Sequence, residues 1–552
     1  MKILIASDSH CGYGEIKQYL YEDSFRSFEE VLQKAKENEC DFILLGGDLF
    51  HESEPSRRTQ IRLMRLIREY CMSGPKTSLK VTSNGEDNFG VFQFKTANID
   101  DENLTVSLPI FTINGNHDDF CCTDSTAVDI YHEAGVLNIF GRFKDIKYFD
   151  VNPVLLEKEN PDGSVSKVAL YGIGSQRDDR LARAFMSGHV RFNKPSNYEE
   201  YLNILVLHQN RPQRSTLRST GSYISTDLLP GFIDLVVWGH EHASIIEPQR
   251  VVAKDGQEFL ILQPGSTTAT SLCPDEAMQK HCFLLDSQYD IREPVITPLK
   301  LETCRQIFYE DIDLDGLHLV PPCESVRTSE MEDEQYLHRR MNEILRQAEL
   351  SRTASQPELP LVRFRLHYVG AWRRIPPIMP RRFGRLYRDK VANANEIIWV
   401  HRSKDPDVVK GVKTQNIKKE LIPANVELVV QEHFNNVRGE DQLAVLEVDV
   451  LNKALEAYGS NESYSFANIN KRTKGTLREH IKMYVNKITE LTSGSEDDMT
   501  IRNYQDFEER VGKVIYSKYA EKANVKKEVE AMDVKEEQKE NISDDDIEWL
   551  DK

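Results

Sequence analysis

Residues 110–119, IFTINGNHDD, constrain this chain more than any other stretch. An apolar, β-branched run (Ile110, Phe111, Thr112, Ile113) stops at Gly-Asn-His-Asp-Asp. That pattern predicts a buried strand delivering polar side chains at its C-terminal end. Gly115 lets the backbone turn without a Cβ clash. Asn116 offers a carboxamide oxygen and His117 an imidazole, both donors that metal ions accept. Taken alone, the segment reads equally well as an ordinary strand-to-turn exit.

Four other stretches end the same way. The apolar run 2–6 is followed by Asp8 and His10, which point the same way in extended chain and can grip one ion. D-x-H by itself is a weak motif, common by chance. A helical spacing over 23–38 leads to a strand at 41–45 and then GGDLFHE. Gly46 and Gly47 permit close approach, and Asp48 sits at the strand end, where a helix N-cap is the plainer explanation. His51 reads as a ligand-orienting or substrate-contacting group, or as a plain surface histidine. NILVLH ends on His208, and FIDLVVW runs into Gly239, His240, Glu241 and His242, with the two histidines again two residues apart. In an open α/β sheet, ligands gather beyond the carboxyl ends of the strands. Eight such groups at five strand ends, in a chain with 15 histidines, therefore point to one site.

Seven of the groups suit two adjacent metals. Asp8, His10 and His242 would hold one, Asn116, His208 and His240 the other, and Asp48 would bridge. Imidazole, carboxylate and carboxamide donors without thiolate favour Mn²⁺, Fe²⁺ or Zn²⁺ over Ca²⁺. Two such ions clamp a phosphate and generate hydroxide for in-line attack. His117, left over from ligation, is the natural proton donor to the leaving alkoxide.

The 552 residues predict two to four domains at roughly 100–200 residues each. A net charge of −19 excludes a generally basic nucleic-acid coat, so any nucleic-acid contact needs a local patch or metal ions. The start, MKILIASDSH, reads as a strand and not as a signal peptide. No stretch of about 18 apolar residues predicts a membrane span. Nine scattered cysteines without C-x-x-C fit a reducing compartment, cytosol or nucleus.

The order D-x-H, G-G-D-x-x-H, G-N-H-D, H, G-H-x-H resembles the calcineurin-like metallophosphoesterase signature. GGDLFHE, INGNHDD, LHQNR, WGHEH and QPGSTTATSL (263–272) go further. They resemble the eukaryotic meiotic recombination eleven family of double-strand-break repair nucleases, closely over about residues 1–300 and more weakly to about 400. The expected fold class is α/β: a metallophosphoesterase β-sandwich flanked by helices, with a smaller α+β capping domain and a helical C-terminal region.

The resemblance implies a nuclear, homodimeric enzyme with two Mn²⁺ per chain. Its implied activities are a 3′-to-5′ exonuclease on duplex ends and an endonuclease on single strands, serving end resection, homologous recombination, meiosis and telomere maintenance. His117 matches the family's proton-donating histidine. The implied partners are DNA ends, a coiled-coil ABC-type ATPase and a nibrin-like third subunit.

The expected domains are the nuclease (1–295, with an insertion at 75–108), the capping domain (296–401), a linker (402–425), a helical ATPase-binding region (426–520) and an acidic disordered tail (521–552). Residues 373–390 carry seven Lys/Arg against one acid, with Phe383 and Tyr387 interleaved. Arg373, Arg374, Arg381, Arg382, Arg385 and Arg388 read as phosphate-backbone contacts or as a solvated basic face. The corresponding family region is the capping domain that positions DNA. No Gly/Arg-rich stretch is present, unlike many family tails.

Two surfaces complete the expectation. Helices at 56–71 and 125–134 follow ligand loops and present Leu63, Met64, Ile67 and Ile130; family members dimerise through helices at these positions. Within the insertion, Asn88, Phe89, Phe92, Phe94 and Lys95 resemble the family's latching loop for an extended partner peptide, although Thr96-Ala97-Asn98 departs from its continuation. The alternative is a surface loop whose phenylalanines cover the local core. Two other functions fit the same scaffold. A protein phosphatase would carry Arg-Gly where Phe50-His51 stand and Glu where Asp118 stands. A DNA-tethering scaffold with a dead site would lack some of the seven donors.

Overall fold

The computed structural model describes residues 1–402, apart from 18, 119–124, 144–147, 212–222, 288–293, 318 and 320–330. The expected ATPase-binding helices and acidic tail, and the linker beyond Arg402, lie outside the described residues.

Two sheets make the first layer pair. One runs in the order Val295–Lys300, His281–Asp286, Lys2–Ala6, Phe42–Leu45, Ile110–Thr112, Asn138–Ile139. The other runs Gln249–Val252, Glu258–Leu262, Leu235–Gly239, Leu202–His208, Val165–Ile173, Val154–Glu159, Lys80–Val81. The central strands of each are parallel, Ile3 facing Phe42 and Ile204 facing Leu235 in register. Strands covered on both faces read as continuous apolar runs, which is why NILVLH shows no alternation. Side chains still alternate. Leu202, Ile204 and Val206 enter the core shared with Ile3 and Ile5 of the first sheet, while Leu205 and Leu207 join a second core with Tyr171, Leu181 and Trp238.

Helices Asp23–Glu37 and Arg57–Cys71 bury Phe28, Val31, Leu63 and Ile67 in the shared core. Ser56 caps the second of them, accepting from the Thr59 amide at 3.1 Å. Thr126 and Asp129 close a capping box on helix Ala127–Glu133. The predicted dimer face needs correction here. Leu63 and Ile67 are interior, and the apolar side chains these helices leave outside are Ile61 (54% exposed) and Ile130 (53%). The two helices touch, Tyr131 Oη donating to the Gln60 carbonyl at 2.6 Å.

The insertion 75–108 belongs to the sandwich. Its strand Lys80–Val81 pairs with Val154–Glu159, and Leu79, Phe89, Phe92, Ile99 and Leu108 join the main core. Phe89 and Phe92 pack on His132, with ring centroids 5.4 and 4.0 Å away. Asn88 is buried, donating to the Pro153 carbonyl at 2.9 Å. Of the five expected partner contacts, therefore, only Phe94 (57% exposed) and Lys95 offer surface, and Lys95 pairs with Glu86. The alternative of core-covering phenylalanines holds for Phe89 and Phe92.

A third sheet, Ile307–Asp313, Leu361–Tyr368 and Ile398–Arg402, is parallel and backed by helix Glu332–Ser351 through Leu337, Met341 and Ile344. The expected boundary at 295/296 falls inside strand Val295–Lys300, which hydrogen-bonds to His281–Asp286 and so belongs to the first sheet. The third sheet is fastened to the sandwich by Arg305, whose Nε and Nη2 lie 2.6 and 2.8 Å from the two Asp23 oxygens. Glu30 adds a second clasp, accepting from the Glu302 and Thr303 amides at 2.8 and 2.9 Å. No helix among the described residues is long and apolar enough to cross a membrane.

Candidate metal centre

Parallel strands discharge their C-terminal residues at one edge. Lys2–Ala6 runs into Asp8 and His10, Phe42–Leu45 into Asp48, and Ile110–Thr112 into Asn116 and His117. Across the sandwich, Leu202–His208 ends on His208, and Leu235–Gly239 runs into His240 and His242. The backbone there is unusual. Asp8, His10, Asp48 and His240 have φ of 51°, 43°, 48° and 78°, and among the described non-glycine residues only Glu39 shares that region. Such conformations cost about 1–3 kcal/mol each and persist where the surroundings enforce them. Gly115 avoids a Cβ clash as expected, and the clash would be with the site itself: a Cβ there would lie 2.0 Å from Asp48 Oδ1.

The structure brings the donors into two groups. Asp8, His10 and His242 form one and Asp48, His208 and His240 the other, each with its ligand atoms within 4.8 Å of one another. His10 Nε2 lies 3.0 Å from His242 Nε2. Asn116 Oδ1 lies 3.0 Å from His208 Nε2 and 2.8 Å from His240 Nδ1, in the second group. Asp48 Oδ2 sits between the groups, 3.3 Å from His208 Nε2 and 3.8 Å from His10 Nε2.

The donor set fits a pair of cations. Asp8 is fully buried, and its Oδ1 has no hydrogen-bond partner, a position a cation satisfies. Burial resists charge on His208, but Asp48 and Asp8 beside it prevail and push its imidazole up to about 10. Burial likewise favours a neutral Asp48, yet His208 and His10 hold its carboxyl well below the usual range. Burial drives His10 well below an ordinary histidine, and burial with the His208 charge lowers His240. His10 and His240 are thus kept neutral and able to ligate, while beside Asp48 and Asp8 a cation would take the place of the His208 proton.

His117 stands beside both groups and belongs to neither. Its Nδ1 lies 2.6 Å from the His51 carbonyl, and its amide donates to Asp48 Oδ1 at 2.7 Å. The His51 ring stacks on His117 at 5.1 Å and 22°, with its Nδ1 3.4 Å from His10 Nδ1. His51 thus lines the site. His10, His51 and His117 form a third cluster of possible donors around the shared His10 ring.

Three residues behind the donors were not expected. Asp118 is buried and accepts from the Leu49, Phe50 and Gly115 amides at 3.1, 3.1 and 3.2 Å, locking the Asp48 loop to the His117 loop. Burial and then the Asp48 charge push its carboxyl up to about 7. Asn210 Oδ1 meets His240 Nε2 at 3.0 Å, and Glu276 Oε1 meets His242 Nδ1 at 2.7 Å. Asp118 and Asn210 stood inside recognised motifs, so a signal existed; Glu276 lies in irregular chain and had none.

The basic stretch divides. Phe383 and Tyr387 are buried in the third core. Arg382 is spent on the carboxylate of Glu334, its Nη2 2.6 Å from Oε2. Arg381 is exposed; Arg385 and Arg388 line a groove of about 440 Å³ with Lys17 and Tyr19 of the sandwich. Arg373 lies in the short helix Gly370–Arg374.

Fold and site together define a calcineurin-like phosphoesterase, and the family model of that description matches residues 1–244. A second model, the Mre11 DNA-binding presumed domain, matches residues 294–458. A double-strand break repair protein mre-11 from Caenorhabditis elegans is 40% identical over 488 residues, 85% of this chain and 66% of that one. The human double-strand break repair protein MRE11 is 36% identical over 496 residues, covering 88% and 66%. The chicken protein of that name is 35% identical over 497 residues, covering 88% and 67%. This chain belongs to the Mre11 family. It spans about two thirds of the length of these relatives.

Proposed function

We propose that this chain is a two-ion DNA nuclease of double-strand-break repair. The observation that carries the reading is the meeting of seven donors from five strand ends, one of them the buried Asp8, whose Oδ1 has no hydrogen-bond partner. Asp8, His10 and His242 would hold one ion and Asn116, His208 and His240 the other, with Asp48 placed between the two groups. The donors admit Mn²⁺, Fe²⁺ or Zn²⁺, and of these the motif resemblance supports Mn²⁺. Bound there, the ions would supply positive charge for a phosphodiester and a nucleophile at neutral pH.

The chain's own groups do the rest. With Nδ1–H held by the His51 carbonyl, His117 in its imidazolium form carries a transferable proton on Nε2, delivers it to the leaving alkoxide and is left as the neutral Nδ1–H tautomer. Asp118 keeps the Asp48 and His117 loops at fixed separation. Arg385 and Arg388, beside a Lys17 that pairs with Glu396 at 3.4 Å, offer the backbone of a DNA end a cationic groove wall. On the motif resemblance we assign 3′-to-5′ duplex exonuclease and single-strand endonuclease activity, a nuclear location, and roles in end resection, recombination, meiosis and telomere maintenance. The partners assigned on that ground are a coiled-coil ATPase and a nibrin-like subunit, the latter meeting Phe94 and Lys95.

The test is direct. Purified chain with Mn²⁺ should shorten end-labelled duplex DNA and nick single strands, do neither without a divalent ion, and leave a phosphopeptide intact. Phosphate release from the peptide with DNA untouched would select the phosphatase reading. Cleavage of neither would leave the tethering scaffold.

We also propose a homodimer through Ile61 and Ile130. Ile61→Asp with Ile130→Asp should give monomers by light scattering at an unchanged melting midpoint. Leu63→Asp with Ile67→Asp should instead lower stability by several kcal/mol, since both side chains are interior. Dimers that survive the first pair of changes would exclude this face.

A further inference from the structure

The candidate ligand histidines differ in what holds their other ring nitrogen. His208 Nδ1 donates to the Gly46 carbonyl at 2.8 Å. His240 Nε2 meets Asn210 Oδ1, and Asn210 Nδ2 in turn donates to Asp178 Oδ2 at 2.6 Å. Both acceptors are neutral. His242 Nδ1 alone among these three faces a carboxylate, Glu276 Oε1 at 2.7 Å. Glu276 is 2% exposed, and its Oε2 lies 2.6 Å from the Nζ of Lys280, itself 3% exposed. Lys280 Nζ also donates to the His242 carbonyl at 3.1 Å and to Ser266 Oγ at 2.8 Å. Thr270 Oγ1 donates to Glu276 Oε1 at 3.1 Å, and Ser266 Oγ donates to Oε2 at 3.2 Å.

Burying a whole ion pair is costly, and apolar replacements of the same volume are often neutral or better for stability. This pair also lies against a single ligand and clasps that ligand's own backbone. We propose that Glu276, held by Lys280, is a positioning residue for the ion bound by Asp8, His10 and His242. It fixes the His242 tautomer with Nε2 toward Asp8 and His10 and raises the ring's basicity. The result is an asymmetric centre: one ion has a carboxylate-backed imidazole, while the other has imidazoles backed by a carbonyl and an amide. A partner of this kind typically contributes 10–100-fold in metal affinity.

The inference rests on the two-ion reading above, and Mn²⁺ titration of the unmodified chain tests that reading separately, since it must take up two ions. Glu276→Gln should then weaken one of the two by 10–100-fold and leave the other unchanged. At intermediate Mn²⁺ its electron paramagnetic resonance spectrum should show an isolated ion where the unmodified chain shows a coupled pair. Glu276→Asp should restore part of the affinity. Because Glu276→Gln leaves Lys280 buried without its counter-charge, Glu276→Gln with Lys280→Met is the second variant. It should melt like the unmodified chain and still lose the affinity of one ion. Two ions bound with unchanged affinity by the double variant, or equal weakening of both, would overturn the proposal while leaving the two-ion reading standing. An unmodified chain that takes up no second ion overturns both.

Discussion

Replacing His117 with Asn leaves both ion sites filled and lowers turnover by roughly 10²–10⁴-fold, the usual contribution of a general acid. The expectation follows from three contacts. His117 lies outside the groups Asp8–His10–His242 and Asp48–His208–His240, so neither loses a donor. The bond to Asp48 Oδ1 comes from the His117 backbone amide, which the substitution preserves. The ring itself is oriented by the His51 carbonyl and the stacked His51 ring, and an asparagine amide can take the same place without a transferable proton. Turnover of a substrate with a better leaving group should recover most of the loss, because such a group departs without protonation. The competing assignment is the third cluster, in which His117 shares an ion with His10 and His51. Metal analysis decides between them: a variant that retains less Mn²⁺ than the parent would make His117 a ligand and not the acid.

The meeting of the candidate donors was legible in the sequence because parallel strands end together. A residue just beyond an apolar run must lie at the sheet's carboxyl edge, so Asp8, Asp48, Asn116, His208 and His240 could be placed with no knowledge of side-chain contacts. What faces what was less legible. The spacing of Leu63 and Ile67 marks an apolar stripe on helix Arg57–Cys71, but a stripe meets a protein's own core and a partner's surface with the same pattern. The structure turns that stripe inward and leaves Ile61 outside. Phe89 and Phe92 posed the same ambiguity, resolved by His132 beneath them. Glu276 was not legible at all. It is ten residues beyond Ser266 in chain without period, and only the folded path of that loop brings it behind His242.

Asp48→Ala should empty both ion sites and abolish cleavage. Asp48 Oδ2 lies near a histidine of each group, 3.3 Å from His208 and 3.8 Å from His10. Its loss therefore removes a donor and a negative charge from each ion at once. The effect should exceed the roughly 10–100-fold typical of losing a group that only orients a ligand. The change has a second consequence, because Asp48 sits at φ 48°. Aspartate and asparagine tolerate that region better than alanine, so Asp48→Ala also strains the loop and strips the His117 amide of its acceptor. Asp48→Asn separates these effects. It keeps the backbone preference, the volume and an acceptor oxygen, and loses the charge and one donor lone-pair face. Both variants should retain less than one Mn²⁺ per chain after dialysis, while only Asp48→Ala should show a lowered melting midpoint in metal-free buffer. A variant that keeps one site fully occupied would show that Asp48 serves a single ion, and the bridge would have to be sought in Asp8, whose Oδ1 lies 3.7 Å from His242 and 4.0 Å from His208.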